Sequence, residues 1–239
     1  MNIFLTIYYG LIYQPMLNFL VLAYIYTNSF GFSVIILTVL IKLLTNPLNK
    51  KALESQKAMA EIQPKIKEIQ SRNKDNKEKQ AQEMLALYRD KKFNPFSSIF
   101  LIFIQLPIII ALFQIFKGGI EIDSQFIYSF VSLPQMIDPY FFGIDLSKPN
   151  TILAILAAIG QYFQTKSGFS QNPKPKTEDK GKDKELQITE IMQKQMMYIL
   201  PVITFTLLLS LPSALGLYWL VTIAMTIYQQ NKIFKEKND

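Results

Sequence analysis

Apolar residues run along this chain in long unbroken blocks, and the polar residues gather between them. Residues 1–41 contain no Asp, Glu, Lys or Arg, and neither do 93–116, 149–165 and 195–231. A soluble helix keeps one polar face, so charge-free blocks of this length predict helices that face lipid. Five spans follow: 31–48 (GFSVIILTVLIKLLTNPL), 96–116, 150–165, 194–211 and 213–231. Pro107 in the second span is tolerable as a kink. Only Leu211-Pro212-Ser213 parts the last two spans, which predicts an antiparallel helical hairpin.

The segments between the spans differ in character. Residues 1–30 are apolar and rich in Tyr, but Gln14-Pro15 falls at the centre of 3–26, where a spanning helix would be weakened. They also lack the basic start and small-residue cleavage site of a signal peptide. An interfacial helix with its tyrosines at the headgroup level is the expectation, with a true span as the alternative. Residues 49–95 are highly charged, with helical composition over 50–70 and 77–92 and a polar break at 71–76, which predicts a helical hairpin. Met59, Ile62, Ile66 and Ile69 form one apolar stripe along it. Residues 117–149 read as an irregular loop with an amphipathic piece around Phe126–Val131, 166–193 as a low-complexity solvated linker, and 232–239 as a short tail.

The net charge of +7 acquires meaning from where the cations lie. Lys plus Arg number 12 in 49–95, 7 in 166–194 and 3 in 232–239, against 2 in 117–149. With five spans, the basic segments fall on one side, so the N-terminus is expected outside and the C-terminus in the cytoplasm. The remaining cation is Lys42, inside the first span.

The chain has no His and no Cys, which removes zinc sites of those residues, thiolate nucleophiles and every Ser-His or Cys-His pair. Lys42 is therefore the centre of interest. An ammonium at mid-helix costs about 2.5–3.5 kcal/mol on insertion scales, and no acid lies within a span to pair with it. Snorkelling toward the charged end of the helix is one answer. A water-filled cavity is the other, favoured by two polar stripes: Thr38, Lys42, Thr45 and Asn49 on one helix face, and Trp219, Thr222, Thr226 and Gln229 on another. Gln161 and Gln164 add a polar pair in the third span. A cationic cavity without acids suits attraction of negatively charged protein segments better than cation transport.

The words GFSVIILTVLIKLLTNPL (31–48), IQPKIKEIQ (62–70), QEMLALYRDKKFNP (82–95), IQLPIIIALF (104–113) and LPSALGLYWLV (211–221) together resemble the YidC family of membrane protein insertases, relatives of the mitochondrial and chloroplast insertases. The resemblance covers roughly residues 8–234. It implies an all-α, polytopic fold with a five-helix core, an outer interfacial helix and a cytoplasmic helical hairpin. A hydrophilic groove in such a core opens to the cytoplasm and to lipid. Its cation is usually arginine where Lys42 stands, so this chain keeps the charge and loses the planar fork. Thr38 and Trp219 match further groove positions, and Gln164 a polar position of the third span. The large outer domain of longer bacterial members has no counterpart in this sequence.

The expectation is thus a bacterial plasma-membrane insertase and chaperone. Its groove would be lined by Lys42, Thr38, Thr45, Gln164, Trp219 and Thr222, with no catalytic, metal or cofactor-binding residue. Nascent membrane proteins and the lipid bilayer are its expected partners, with the ribosome and a Sec translocon as candidates and no sequence-specific nucleic acid. A small solute or ion transporter is the alternative, and it lacks the intramembrane acids and internal repeats usual for one. A membrane enzyme would have only Lys42 as a base, beside Thr38 or Ser33.

Overall fold

Prolines and small polar residues decide where the apolar blocks bend and stop. The computed structural model describes residues 3–91, 97–117, 124–170 and 184–235. The N-terminal block is helical throughout, as α1 (Ile3–Tyr8), a π-helical turn (Tyr9–Tyr13) and α2 (Gln14–Thr27). Pro15 has no N–H to give, and the wider turn ahead of it takes up the misfit, with the Gln14 N–H reaching Tyr9 O. Gln14-Pro15 therefore does not interrupt the helix. The end comes at Asn28, whose left-handed backbone (φ 49°) lets its N–H close on Tyr24 O at 2.8 Å.

Ser29 is extended, and α3 (Phe30–Leu44) follows. Thr45 breaks the path, Pro47 begins the next helix where its missing N–H costs nothing, and α4 (Asn46–Arg72) leaves at 62° to α3. Residues 73–76 join it to α5 (Lys77–Asp90), whose first turn is capped by Asn76 accepting from Lys79 N–H at 2.9 Å. Of the apolar stripe on α4, Ile62 and Ile66 are buried, Ile69 is half-buried and Met59 is exposed. Then come α6 (Ser97–Lys117), α7 (Thr151–Ser170), α8 (Lys184–Leu208) and α9 (Ser213–Lys235). The last three helices, apart from α9 at its start, run past the charge-free blocks, since α8 begins ten residues before the block expected at 194 and α7 continues to Ser170. Backbone helicity persists in water, whereas the charge pattern marks only the apolar part. The centre of the expected linker (171–183), the acids Glu121 and Asp123, residues 92–96 and the last four residues lie outside the described residues.

The described part of the connection between α6 and α7, residues 124–150, is more ordered than its sequence predicts. A 3₁₀ turn (Ser124–Phe126) is followed by turns, then by a two-stranded antiparallel hairpin of β1 (Tyr140–Phe141) and β2 (Ile144–Asp145). Asn18 of α2 holds this connection by donating to Phe126 O at 2.7 Å and accepting from Tyr128 N–H at 2.7 Å. Tyr24 accepts from Asp138 N–H at 2.9 Å, and the Tyr8 hydroxyl donates to Gln114 at 2.8 Å. Carbonyls of Leu146 and Lys148 receive the first N–H groups of α9, from Ala214 and Ser213, both at 2.9 Å. This end of the molecule, the loop end, thus gathers the starts of α3, α7 and α9 and the end of α6.

Helix α7 packs against both α8 and α9, and α9 packs against α3, which packs against α2. Although α8 and α9 are consecutive, α7 is the main neighbour of each. Small residues allow the closeness: a Cβ on Gly160 would stand 3.3 Å from Ile223 of α9, and one on Gly216 would stand 3.4 Å from Leu153 of α7. One contiguous core fills the loop half of the bundle, through Val34 and Leu37 of α3, Ala111, Leu112 and Phe116 of α6, Ala154 and Ala157 of α7 and Leu215 of α9. By length and composition alone, the helix Leu5–Thr27 is able to cross a membrane, and the bent pair α3–α4 passes the same test only as a unit. Among the described residues, the N-terminal helix, expected at the interface, is thus the single helix that meets the simple criterion for a span by itself.

Candidate polar groove between α3 and α9

Helices α3 and α9 run side by side from the loop end, and their polar stripes meet through Lys42, Thr226 and Gln229, whereas Trp219, expected on the same face, does not join them. Lys42 comes twelve residues after the first residue of α3, and Thr226 thirteen after the first of α9, so both lie about 18–20 Å along their helices. They meet. Lys42 Nζ donates to Thr226 Oγ1 at 2.9 Å, and that hydroxyl donates onward to Thr222 O at 2.7 Å. Lys42 is only 8% exposed, so the ammonium does not snorkel into water along its own helix but turns sideways onto its neighbour. No described carboxylate forms an ion pair with it.

The pairing extends along the seam. At the far end, Gln229 Nε2 donates to Asn46 Oδ1 at 2.8 Å, which ties the α3–α4 break to α9. Thr45 donates to Ile41 O at 2.8 Å and accepts from Asn49 at 3.0 Å, so it sits at this same break with both functions of its hydroxyl in use. Thr38 is fully buried, and its proton goes to Val34 O at 2.6 Å. That back-bond satisfies the hydroxyl inside its own helix. Among the described residues, the side-chain oxygens of Gln229 and Gln230 are buried without a hydrogen-bond partner, and the Thr222 hydroxyl has only Tyr218 of its own helix beside it. All three belong to α9 and lie beyond the core that fills the loop half.

Trp219 faces the other way. Its Nε1–H donates to Gln161 Oε1 of α7 at 3.2 Å, and Gln161 lies one turn from Thr165, to which its amide donates at 3.4 Å. Gln164 is half-buried on the same helix, and no hydrogen bond joins it to the other candidates. The structure thus brings Lys42 and Thr222 into one network through Thr226, joins Thr45 to the far end of the seam, and sets Trp219 with Gln161 on the adjoining wall. Thr226 and Gln161 belong to the polar sets read from the sequence but not to the six expected lining residues. Tyr218 was missed altogether: it is buried and hydrogen-bonded to Gln105 of α6, and its place in an apolar run next to Trp219 gave no sign of this.

Helices with long charge-free stretches, one of them long and apolar enough to cross a membrane, pack around a polar seam that holds a buried lysine among the described residues, and this fits a protein of the membrane. Residues 22–239 match the family model described as 60Kd inner membrane protein. The chain belongs to this family, the YidC-type insertases and chaperones, whose members act on nascent membrane proteins in the inner membrane.

Proposed function

We propose that this chain inserts membrane proteins through a hydrophilic groove centred on Lys42. In this reading α3, α6, α7, α8 and α9 cross the bilayer, the loop end faces outward, and α4–α5 stand in the cytoplasm with the C-terminus. Helix α1–α2 lies along the outer interface. Hydrogen bonds to other elements support this: they run from Tyr8, Asn18 and Tyr24 to residues 114–138 and from Thr27 to Ser33 in the first turn of α3, all toward the loop end. A helix crossing beside the bundle would meet partners at both ends.

The single observation that carries the proposal is the division of the bundle into two halves. Apolar packing fills the half toward the loop end, while the buried cation and the unpartnered oxygens of Gln229 and Gln230 occupy the half toward α4–α5. Polar atoms in that half have unmet hydrogen-bonding capacity, which suits water and the polar backbone of a passing chain. A substrate tail with acidic residues is attracted by Lys42 from the cytoplasmic side, while its apolar helix moves into lipid between the walls. Burying about 20 apolar residues in the bilayer supplies the drive, and no nucleotide is required.

Reconstitution in liposomes tests this, with protease protection of a single-span substrate as the readout. Lys42→Ala is expected to lower insertion of a substrate with two acids in its short outer tail about tenfold, equivalent to ~1.4 kcal/mol, and to spare a neutral-tailed substrate. Lys42→Arg keeps the activity. Equal loss for both substrates would assign Lys42 to packing and overturn the groove reading.

A further inference from the structure

The β1–β2 hairpin carries a feature that insertion through the groove does not use. Its strands pair Tyr140 with Asp145 and Phe141 with Ile144, which leaves Phe142 and Gly143 as the two-residue turn. Both have positive φ, 47° and 79°. This tight turn favours Asn or Gly at its first position, and a bulky aromatic residue there is strained. The sequence nevertheless places Phe there, and its ring is 85% exposed. Strain at the backbone and an exposed ring in the same residue point to something the ring contacts.

The neighbours indicate what that is. Phe142 packs edge-on against Phe141 (ring centroids 4.5 Å apart), and Phe141 against Phe32 of α3 (5.3 Å). Phe141 lies so close over Gly31 that a Cβ there would be 2.1 Å from its ring, so the hairpin rests directly on the start of α3. Phe32, Ile36 and Leu43 are all exposed and recur at helical spacing, forming the outward stripe of a helix read here as a span. The aromatic rings therefore continue the lipid-facing stripe of α3 up to and past the helix end. Residues 139–144 carry no charge, and Asp145 is held by Lys148 at 3.0 Å.

We infer that the hairpin tip is an anchor in the outer leaflet, with Phe142 and the exposed Tyr140 seated at the boundary between headgroups and acyl chains. This rests on the proposed spans. The hairpin touches α3 through Phe141 and continues directly into residues 145–148, whose carbonyls hold the start of α9. The anchor thus fixes the outer ends of both groove walls to the same level of the bilayer.

Trp219 is the sole tryptophan, so a Trp219→Phe background makes any introduced tryptophan the only one. Phe142→Trp and, separately, Tyr140→Trp are placed in that background and reconstituted in phosphatidylcholine/phosphatidylglycerol vesicles. Ile36→Trp serves as a reference on the lipid face of α3. Lipid brominated near the top of its chains is expected to remove roughly half or more of the emission at position 142 or 140, with little quenching by aqueous iodide. Emission quenched by iodide and untouched by brominated lipid would overturn the anchor. Protection from both would also overturn it, because protein would then cover the tip. If Ile36→Trp itself escapes brominated lipid, the span reading fails and the anchor with it, whereas quenching at 36 but not at 142 and 140 defeats the anchor alone.

Discussion

Helix α9 has two main neighbours, α7 and α3, and treats them differently. Toward α7 it shows Gly216 and Ile223, and the seam closes to van der Waals contact through glycines on both helices. Toward α3 it shows Thr222, Thr226 and Gln229, and the seam is held by a few hydrogen bonds with polar atoms left over. Both seams face the same bilayer in the proposed topology, so surroundings alone do not explain the contrast. Between apolar helices in lipid, association depends on close packing, which small residues permit. A seam that forgoes such packing and accepts a buried ammonium loses stability, and the reason for it lies in function rather than in holding the fold.

The largest effect is expected from filling the tight seam. A Cβ at position 160 already stands 3.3 Å from Ile223, so Gly160→Leu must drive α7 and α9 apart. Overpacking of this kind costs ~1–3 kcal/mol or more, and the thermal unfolding midpoint of the detergent-solubilised protein should fall accordingly. A variant as stable as the parent would show that the two seams do not differ in packing. In the polar seam, Lys42→Ala should act on insertion instead, leaving the unfolding midpoint little changed or raised, since it removes a buried charge.

Much of this contrast could be read from the sequence, and what could not has definite causes. The stripe 38-42-45-49 and the part 222-226-229 of the second were legible because a helical repeat brings residues three and four apart to one face, whereas Trp219, grouped with them, turns to α7 instead. Their mutual approach needed the loop end to set α3 and α9 in register, and that depends on hydrogen bonds from residues 145–148 that no local pattern announces. Gln161 and Gln164 looked equivalent, being one turn apart. The rotation of α7 fixed by Gly160 against Ile223 accompanies the choice of Gln161 for Trp219. Charge was a good guide to the apolar blocks and a poor one to helix ends, so Lys184 opens α8 well before its uncharged part. The hairpin at 140–145 was invisible because Phe-Gly takes the place of the usual Asn-Gly turn.

A paired substitution sharpens the comparison at smaller scale. Gln161→Leu leaves the Trp219 N–H unmet at the α7 wall, and Thr226→Val removes the acceptor for Lys42 at the α3 wall. Where water is excluded, an orphaned buried donor costs ~1–3 kcal/mol. Where water enters, it substitutes for the lost partner, and the cost falls below about 1 kcal/mol. On the groove reading Gln161→Leu, beside a half-buried Trp219 packed against the core, is expected to destabilise more than Thr226→Val, although the latter involves a charged and more deeply buried donor. The reverse order, measured by unfolding in the same detergent, would mean that the α3–α9 seam is dry.

The smallest effect is expected outside the membrane, at the junction of α4 and α5. Arg72 donates to Glu83 at 2.6 Å and Asn73 donates to the same oxygen at 2.9 Å, bridging the two helices across residues 73–76. The hydrogen bond from Arg72, aided by Asn73, holds the Glu83 carboxyl below its ordinary range and raises Arg72 in turn. A carboxyl depressed in the folded state adds stability above its unfolded pKa, and the contribution disappears as pH falls through the folded value. The junction should therefore keep its protection against hydrogen exchange down to the usual glutamate range and lose it only below. Glu83→Gln should abolish that pH dependence while leaving the α3–α9 seam unaltered, because the pair is solvent-exposed and screened by salt. Comparing parent and variant at each pH cancels the intrinsic exchange rate. A change in exchange at Lys42 or Thr226 in the variant would show that the junction is mechanically coupled to the groove, and the two regions would then have to be treated as one.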